Sequence, residues 1–475
     1  VAAGRAWLLP ALVAAGLAIR LLALALAPRW GYLFDHDDLV RWGIQATDQG
    51  IGRLYDSPAP RHPLQQWQDG RWHLGERQMD RVCNYPPLCV YLLAISGAAH
   101  KALDPDRRIN TLASRVAFSG WSVLCDLLLA WGCAALLAEV VAPGRRRLAF
   151  GLAWLAPPVW LISCFWGQVD TWALAPAVWM VREMLRGRWV RAGLLLGVVA
   201  AIKPQAVAFL PLWGMALCAG RPRARPAAGL LAAGGTLLGL AAPFIVVGGW
   251  SWWRQCYGAN LFEHSRGYTT LMAFNPWYLD CLITDSLDEA ASLMGLTRRT
   301  WGLMALAAAL AAGFAWTLVR WRGRPCGYLL WCVLSLLALV MLPTRVHERF
   351  LLLVIPFLIV AALAWRRFAP GLVLLAVVAT GQATWPQWLA LGPPDWEETR
   401  AQARSDYDAI LAGSPDAAKA APPFEEFLRP HRERHEAARR RMIEWLLTLA
   451  ALAGSFGVVV AALRQRPEPP AARAH

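Results

Sequence analysis

The sequence predicts an all-α fold of polytopic transmembrane helices, about 11 to 13 spans in number, and three observations predict it. Hydrophobic residues make up 57% of the 475 and charged residues only 17%, against about 25% charged in an ordinary soluble domain. The hydrophobic residues gather in runs of about 15 to 30 nearly free of charge, long enough for a hydrocarbon core about 30 Å thick. Positive charge falls in the short gaps between those runs. The net charge of +15 is almost wholly arginine, since lysine stands only at Lys101, Lys203 and Lys419. A soluble cytosolic enzyme is excluded, and the basic balance reads as membrane topology, not as a nucleic-acid surface.

The apolar runs fall at 6–28, 86–100, 111–141, 148–165, 168–185, 192–219, 226–249, 300–319, 326–343, 350–365, 369–390 and 442–463. Each is expected to be helical, because a lipid-exposed span must satisfy its own backbone hydrogen bonds. The first is longer than a signal-peptide core and no clear small-residue cleavage site follows it before Arg29 and Trp30, so no cleavable signal peptide is expected. Arginines at 145–147, 186–191, 221–225, 320–324, 366–367 and 464–466 mark one face, cytoplasmic by the positive-inside rule. The opposite face receives the loop 29–85, the turn 166–170, the loop 250–299 and the tract 391–441. Two runs fit badly. The run 111–141 has Arg107 and Arg108 before it and Arg145 after it, so it is a bent helical pair or an exception to the rule. The run 192–219 breaks at Lys203-Pro204, where proline removes a helix donor, and reads as two short helices meeting near the outer surface. HRERHEAARRR at 431–441 reads as a solvated helix leading into the final span. The 27 tryptophans fit either membrane interfaces or sugar stacking. The ten cysteines show no metal-ligand spacing; most lie in apolar runs as small hydrophobes, and Cys256 and Cys281 share the one outer loop where a disulfide is conceivable.

Five short segments carry chemistry-bearing residues. FDHDDLVRW at 34–42 sets Asp35, Asp37 and Asp38 just beyond a membrane span. They serve either as helix N-terminal carboxylates that favour the dipole, or as a general base on a hydroxyl. Helical periodicity puts Asp35 and Asp38 on one face. NYPPL at 84–88 stiffens the chain as it returns to the membrane and brings Tyr85. WGQVD at 166–170 offers Gln168 and Asp170, as a polar turn or as ligands. AIKPQ at 201–205 holds Lys203, a charge that is costly among apolar residues unless paired or facing water, with Gln205 beside it. TRVHERF at 344–350 packs Arg345, His347, Glu348 and Arg349 between two apolar runs, as snorkelling charges or as a cationic patch for a phosphate. Together these suggest a lipid-linked phosphate as leaving group, cations that stabilise it, and a carboxylate that deprotonates an attacking hydroxyl. One base without a paired nucleophile implies inversion.

The order of these motifs over residues 6–365 resembles the GT-C membrane glycosyltransferases, above all bacterial relatives of the second mannosyltransferase of GPI-anchor assembly and the lumenal dolichyl-phosphate-glucose glucosyltransferases. The resemblance implies a GT-C fold with a large extracytoplasmic first loop and a catalytic base at an acidic residue seven positions before a tryptophan. That is Asp35 relative to Trp42, with Asp38 and Asp37 next in line. It implies that His347, Arg345, Arg349 and Lys203 bind the donor phosphate and that Tyr85, Gln168, Asp170, Gln205 and Glu348 bind substrate. Arg345 stands where the glucosyltransferases tend to have a second histidine. The chain is expected to divide into a catalytic module at 1–250, an extracytoplasmic loop at 251–299, C-terminal spans at 300–390, a polar tract at 391–441 and a final helix and tail at 442–475, the last two outside the resemblance.

The activity so implied is inverting transfer of a hexose, mannose foremost, from a polyprenyl-phosphate sugar to an extracytoplasmic lipid-linked glycan, polysaccharide or glycolipid. The expected location is a bacterial inner membrane. The expected partners are that donor, that acceptor and membrane lipid, with no nucleic acid, no cofactor and no metal. The competing reading is a transporter or lipid-glycan flippase with Lys203, Asp126 and Asp170 along its pathway. A third is a structural subunit of an envelope assembly.

Overall fold

The structure is a computed structural model that describes residues 7–59, 62–68, 71–77, 82–141, 143–219, 222–263, 267–284, 286–322, 324–391, 403–405, 407–408, 411 and 422–466. Within the tract expected at 391–441, most of 392–421 lies outside the described residues, whereas 424–441 are helical. The helices are α1 (Leu8–Trp30), α2 (Phe34–Gln49), α3 (Pro87–Leu103), α4 (Leu112–Leu137), α5 (Arg146–Leu155), α6 (Pro157–Trp160), α7 (Asp170–Leu185), α8 (Trp189–Ile202), α9 (Leu210–Ala219), α10 (Ala224–Gly248), α11 (Pro276–Thr284), α12 (Arg298–Trp321), α13 (Pro325–Met341), α14 (Ile355–Ala364), α15 (Ala369–Leu391) and α16 (Phe424–Arg464). The protein is an all-α, polytopic integral membrane protein. Among the described residues, six helical segments are long and apolar enough to cross a membrane: α1, α4, α10, α12, Arg366–Thr384 and Arg441–Arg464. A seventh is counted if α5 and Pro157–Trp166, bent by 45°, form one broken span.

The arginine clusters do converge on one end of the bundle. Arg145 Nη1 donates to Leu363 O at 2.6 Å and Arg367 Nη1 to Arg464 O at 2.7 Å. Arg182 and Arg186 both face Glu139, at 3.2 and 3.8 Å. At the opposite end, Asn110 Nδ2 donates to Pro28 O at 2.8 Å, which sets the start of α4 beside the end of α1.

That bond corrects the expected spans. The run 86–100 forms α3, an apolar helix of 17 residues that is shorter than the six candidate spans, and the residues flanking it both lie at the end away from the arginines. Tyr85 before it meets Gln168, and Asn110 after it meets Pro28. Helix α3 therefore turns back without crossing and packs along α2, where Gly97 faces the Gly43 carbonyl so closely that a Cβ would collide with it. With α3 removed from the crossing sequence, α4 is one continuous helix, capped by Thr111 and Ser114 in a reciprocal capping box. It is neither a bent pair nor an exception to the charge rule. Arg107 and Arg108 stay at the end away from the arginine clusters, paired with Asp48 and Asp104. The run 192–219 does break where expected, with α8 stopping before Lys203, a 3-10 stretch at Pro204–Phe209, and α9 returning.

Small strands add to the helical plan. The first loop contains an antiparallel hairpin, β1 (His62–Gln68) with β2 (Arg71–Arg77), and Gln65 and Pro63 of β1 exchange backbone bonds with Ile109. Farther along, β3 (Thr270–Leu271) pairs in parallel with β4 (Val346–His347). All ten cysteines are free, Cys256 and Cys281 among them.

Candidate active site

Five chain segments meet at the end away from the arginine clusters, around a cavity of about 1300 Å³. Asp35 and Asp38 reach it from the start of α2, three residues apart on the same face. Asp37, between them, points elsewhere and is buried against Arg41 four residues on. Tyr85 comes from the segment before α3, Lys203 and Gln205 from the break between α8 and α9, and Arg345, His347, Glu348 and Arg349 from the turn after α13. The side chains of α12 and α13 give the cavity an apolar wall of Leu303, Leu306, Leu336, Leu339 and Val340. Gln168 and Asp170 lie buried just behind this surface.

The charges form one connected network. Trp166 Nε1 donates to Asp35 Oδ2 at 2.9 Å, and Arg349 Nη1 lies 3.7 Å from the same oxygen. Arg349 also faces Glu348 at 3.0 Å and, through Nε, Asp170 Oδ2 at 3.7 Å. The other oxygen of Asp170 accepts from Lys203 Nζ at 2.7 Å. Tyr85 OH donates to Gln168 Oε1 at 3.4 Å, and the Lys203 ammonium stands 6.0 Å from the Tyr85 ring. His347 Nδ1 is 3.7 Å from Glu348. So large a set of charges is tolerated at membrane depth because each cation has a carboxylate neighbour and the whole opens on a cavity.

Asp35 owes its position to residues that motif reading did not single out. Arg115, buried on α4, donates to Trp166 O at 3.0 Å and to Tyr32 O at 3.3 Å, and also binds Asn110 Oδ1 at 2.9 Å. It ties the turn bearing Trp166 to the segment that leads into α2. Gly167 follows with φ +91°, and a Cβ there would press on Ser119, Arg115 and His36. The Tyr32 phenol, in the link between α1 and α2, is pushed up to about 12 by burial and by the nearby Asp35 charge, so it stays protonated.

Arg345 is placed differently from the expectation. Its guanidinium binds Glu289 in bidentate fashion, with Nε to Oε2 at 2.7 Å, and Nη1 donates to Phe262 O at 2.7 Å. Glu289, in the loop before α12, is held below the usual carboxylate range, first by the hydrogen bond from Arg345. Asn84 and Asn260 also join across the cavity mouth, Asn260 Nδ2 donating to Asn84 O at 2.6 Å. Nothing in the local sequence around Glu289 or Asn260 marks them.

The three first-loop carboxylates do not converge on a point. Among the described residues, no group of three or more His, Cys, Asp or Glu side chains is arranged to hold a metal ion. Asp126, the third member of the supposed transport pathway, is not with Lys203 and Asp170. It pairs with Arg20 at 2.8 Å between α1 and α4 and accepts from Ser163 Oγ at 2.8 Å.

One cavity thus brings together carboxylates, cations and an apolar wall, and comparison with known families decides the class. The sequence profile of glycosyltransferase family 87 matches residues 84–343, more than half of the chain. The chain belongs to glycosyltransferase family 87. It is thus a glycosyltransferase of GT-C type, embedded in the membrane. Family 87, and neither branch named above, is what the comparison identifies. None of the curated proteins compared with the chain matches it. The span matched to family 87 holds Tyr85, Gln168, Asp170, Lys203 and Gln205. Asp35 and Arg349 lie on either side of it and join the same network through Trp166 and Asp170.

Proposed function

We propose that this glycosyltransferase is an inverting enzyme that moves a hexose from a polyprenyl-phosphate donor to a lipid-linked glycan, polysaccharide or glycolipid, with mannose the first sugar to test. The observation that carries the reading is the meeting of Asp35 and Arg349 at 3.7 Å on one cavity wall. The tryptophan bond and the arginine both fall on Oδ2 of Asp35, which leaves Oδ1 to take a proton. The Asp35 side chain is 22% exposed, against 2% for Asp37, and Asp38 is buried, so Asp35 is the first-loop carboxylate best able to meet a hydroxyl.

In the reaction, the acceptor oxygen attacks the anomeric carbon as Asp35 removes its proton. The bond from that carbon to the phosphate oxygen breaks, and polyprenyl phosphate departs with the electron pair. Arg349 and His347 stabilise its charge, so the leaving group needs no acid. Lys203 acts by holding Asp170, which in turn orients Arg349. The apolar wall of α12 and α13 fits the first isoprene units. Direct displacement by a single oxygen inverts the anomeric centre. The arginine-rich opposite end supports an extracytoplasmic active site, in a bacterial inner membrane.

The test is purified protein in lipid nanodiscs with a panel of radiolabelled polyprenyl-phosphate hexoses, with and without extracted envelope glycolipid. Acceptor-dependent release of polyprenyl phosphate, with an inverted linkage by NMR, is expected. A product that retains the donor's anomeric configuration, or no turnover of any lipid-phosphate donor, would overturn the reading.

A further inference from the structure

We infer that Arg345 is a positioning residue that clamps the outer loop before α12 onto the His347–Arg349 segment, and is not a ligand of the donor phosphate. The inference deepens the proposed reading of the site and rests on it for the identity of what is positioned.

Four contacts carry it. The Arg345 guanidinium places two nitrogens on the two oxygens of Glu289, the fixed fork geometry in which arginine binds a carboxylate most tightly. Its remaining terminal nitrogen donates to Phe262 O at 2.7 Å. Its backbone N–H donates to Thr269 O at 2.9 Å. Glu289 completes the joint by accepting from Gly267 N at 2.9 Å. One residue thus gathers Phe262, Gly267, Thr269 and Glu289, spread over the outer loop. All three guanidinium nitrogens are engaged and three of the five N–H donors are spent within the protein, the carboxylate fork on Nε and Nη2 among them, so Arg345 has only two N–H groups left to offer and its charge is already met by Glu289.

The backbone says the same. Arg345 has φ +63°, a left-handed conformation that a long side chain adopts only when its surroundings hold it there. That turn directs the next two residues into the parallel pairing of Val346 with Thr270 and His347 with Leu271. Directly after it come His347, Glu348 and Arg349, the last of which reaches Asp35. The ion pair is largely buried, with side chains 11% and 8% exposed, so its loss leaves a charge without its partner. The clamp therefore fixes where the cationic patch stands relative to the base, and it makes the loop one wall of the cavity.

A charge swap separates this from direct phosphate binding. Arg345→Glu, Glu289→Arg and the double variant are made in the full chain in nanodiscs. Two quantities are read: amide hydrogen exchange over 267–284 and 286–297 without substrate, and transfer from the radiolabelled polyprenyl-phosphate hexose. Each single variant is expected to speed loop exchange and to lower transfer about tenfold or more, and the double variant to recover most of both, the mark of coupled partners. Single variants that leave exchange at the wild-type rate overturn the clamp. A double variant that recovers neither quantity, or recovers loop protection without transfer, also overturns it, the latter by showing that the guanidinium itself meets the donor. The exchange readout needs no donor, so it tests the clamp even if the proposed donor class proves wrong.

Discussion

Arg20 with Asp126 and Lys203 with Asp170 are both arginine- or lysine-to-aspartate pairs set among apolar helices, yet their surroundings differ. Both side chains of the first pair are fully buried, and Arg20 Nη1 donates to the carbonyls of Gly16 and Trp154. The pair joins α1 to α4 and does not line the active-site cavity. In the second pair Lys203 lines the cavity, and Asp170 is shared with Arg349, which is itself shared with Asp35 and Glu348. A charge inside a membrane marks a functional site by default. The contrast shows that the stronger sign is a charge whose partners are shared and open to a cavity, and that a closed two-residue pair is a rivet between helices.

The largest effect that sharpens this contrast is on stability. Asp126→Ala strands a buried guanidinium and should cost about 3–5 kcal/mol, read as a lower thermal unfolding midpoint in nanodiscs. Arg20→Met with Asp126→Leu should recover most of the loss, and the folded fraction of each should transfer sugar at the wild-type rate. Lost transfer in well-folded protein would break the comparison. Arg349→Gln should shift the balance toward activity, with transfer falling about 10²–10³-fold and a smaller loss of stability than Asp126→Ala, because Lys203 still pairs with Asp170 and the site opens on the cavity. Asp37→Asn should resemble the rivet on a smaller scale, costing about 1–3 kcal/mol through its buried bond to Arg41 with transfer retained. The smallest effect is acid sensitivity in the outer loop. Glu289 faces Arg345, Arg299 and the Gly267 amide, and its carboxyl lies below the usual range. Its stabilising contribution is therefore full above the unfolded carboxylate value of about 4.3 and fades as pH falls through the lower folded value. Exchange protection of 286–297 should persist through pH 5 and fail only in stronger acid, and Glu289→Gln should abolish that dependence.

Much of the architecture was legible because lipid imposes coarse rules. Apolar runs became helices, and the arginine gaps did gather at one end. The break at Lys203-Pro204 was readable from proline chemistry, and the shared face of Asp35 and Asp38 from the helical period. Helix α3 was misread as a span because hydropathy measures transfer to an apolar medium and not direction. Its 17 residues fall short of the candidate spans, and the contacts of Asn110 and Tyr85 put both flanking residues on one side. The hairpin carried a local sign, Asp69-Gly70 between two alternating segments, that the helical expectation passed over. Asp37 likewise had its partner in view four residues on, at Arg41. The commitment of Arg345 to Glu289 was not readable, since it joins positions 56 residues apart across a loop without periodicity. Arg115 was hidden for a similar reason, because it holds backbone carbonyls, which carry no sequence signature.

The most direct measurement is polyprenyl phosphate release by Asp35→Asn beside wild type, with Asp38→Asn as the neighbouring control and donor binding measured separately. A fall of about 10²–10⁴ in Asp35→Asn with donor binding intact, and a much smaller change in Asp38→Asn, is the predicted result. Transfer that persists in Asp35→Asn and disappears in Asp38→Asn would contradict the assignment of the base.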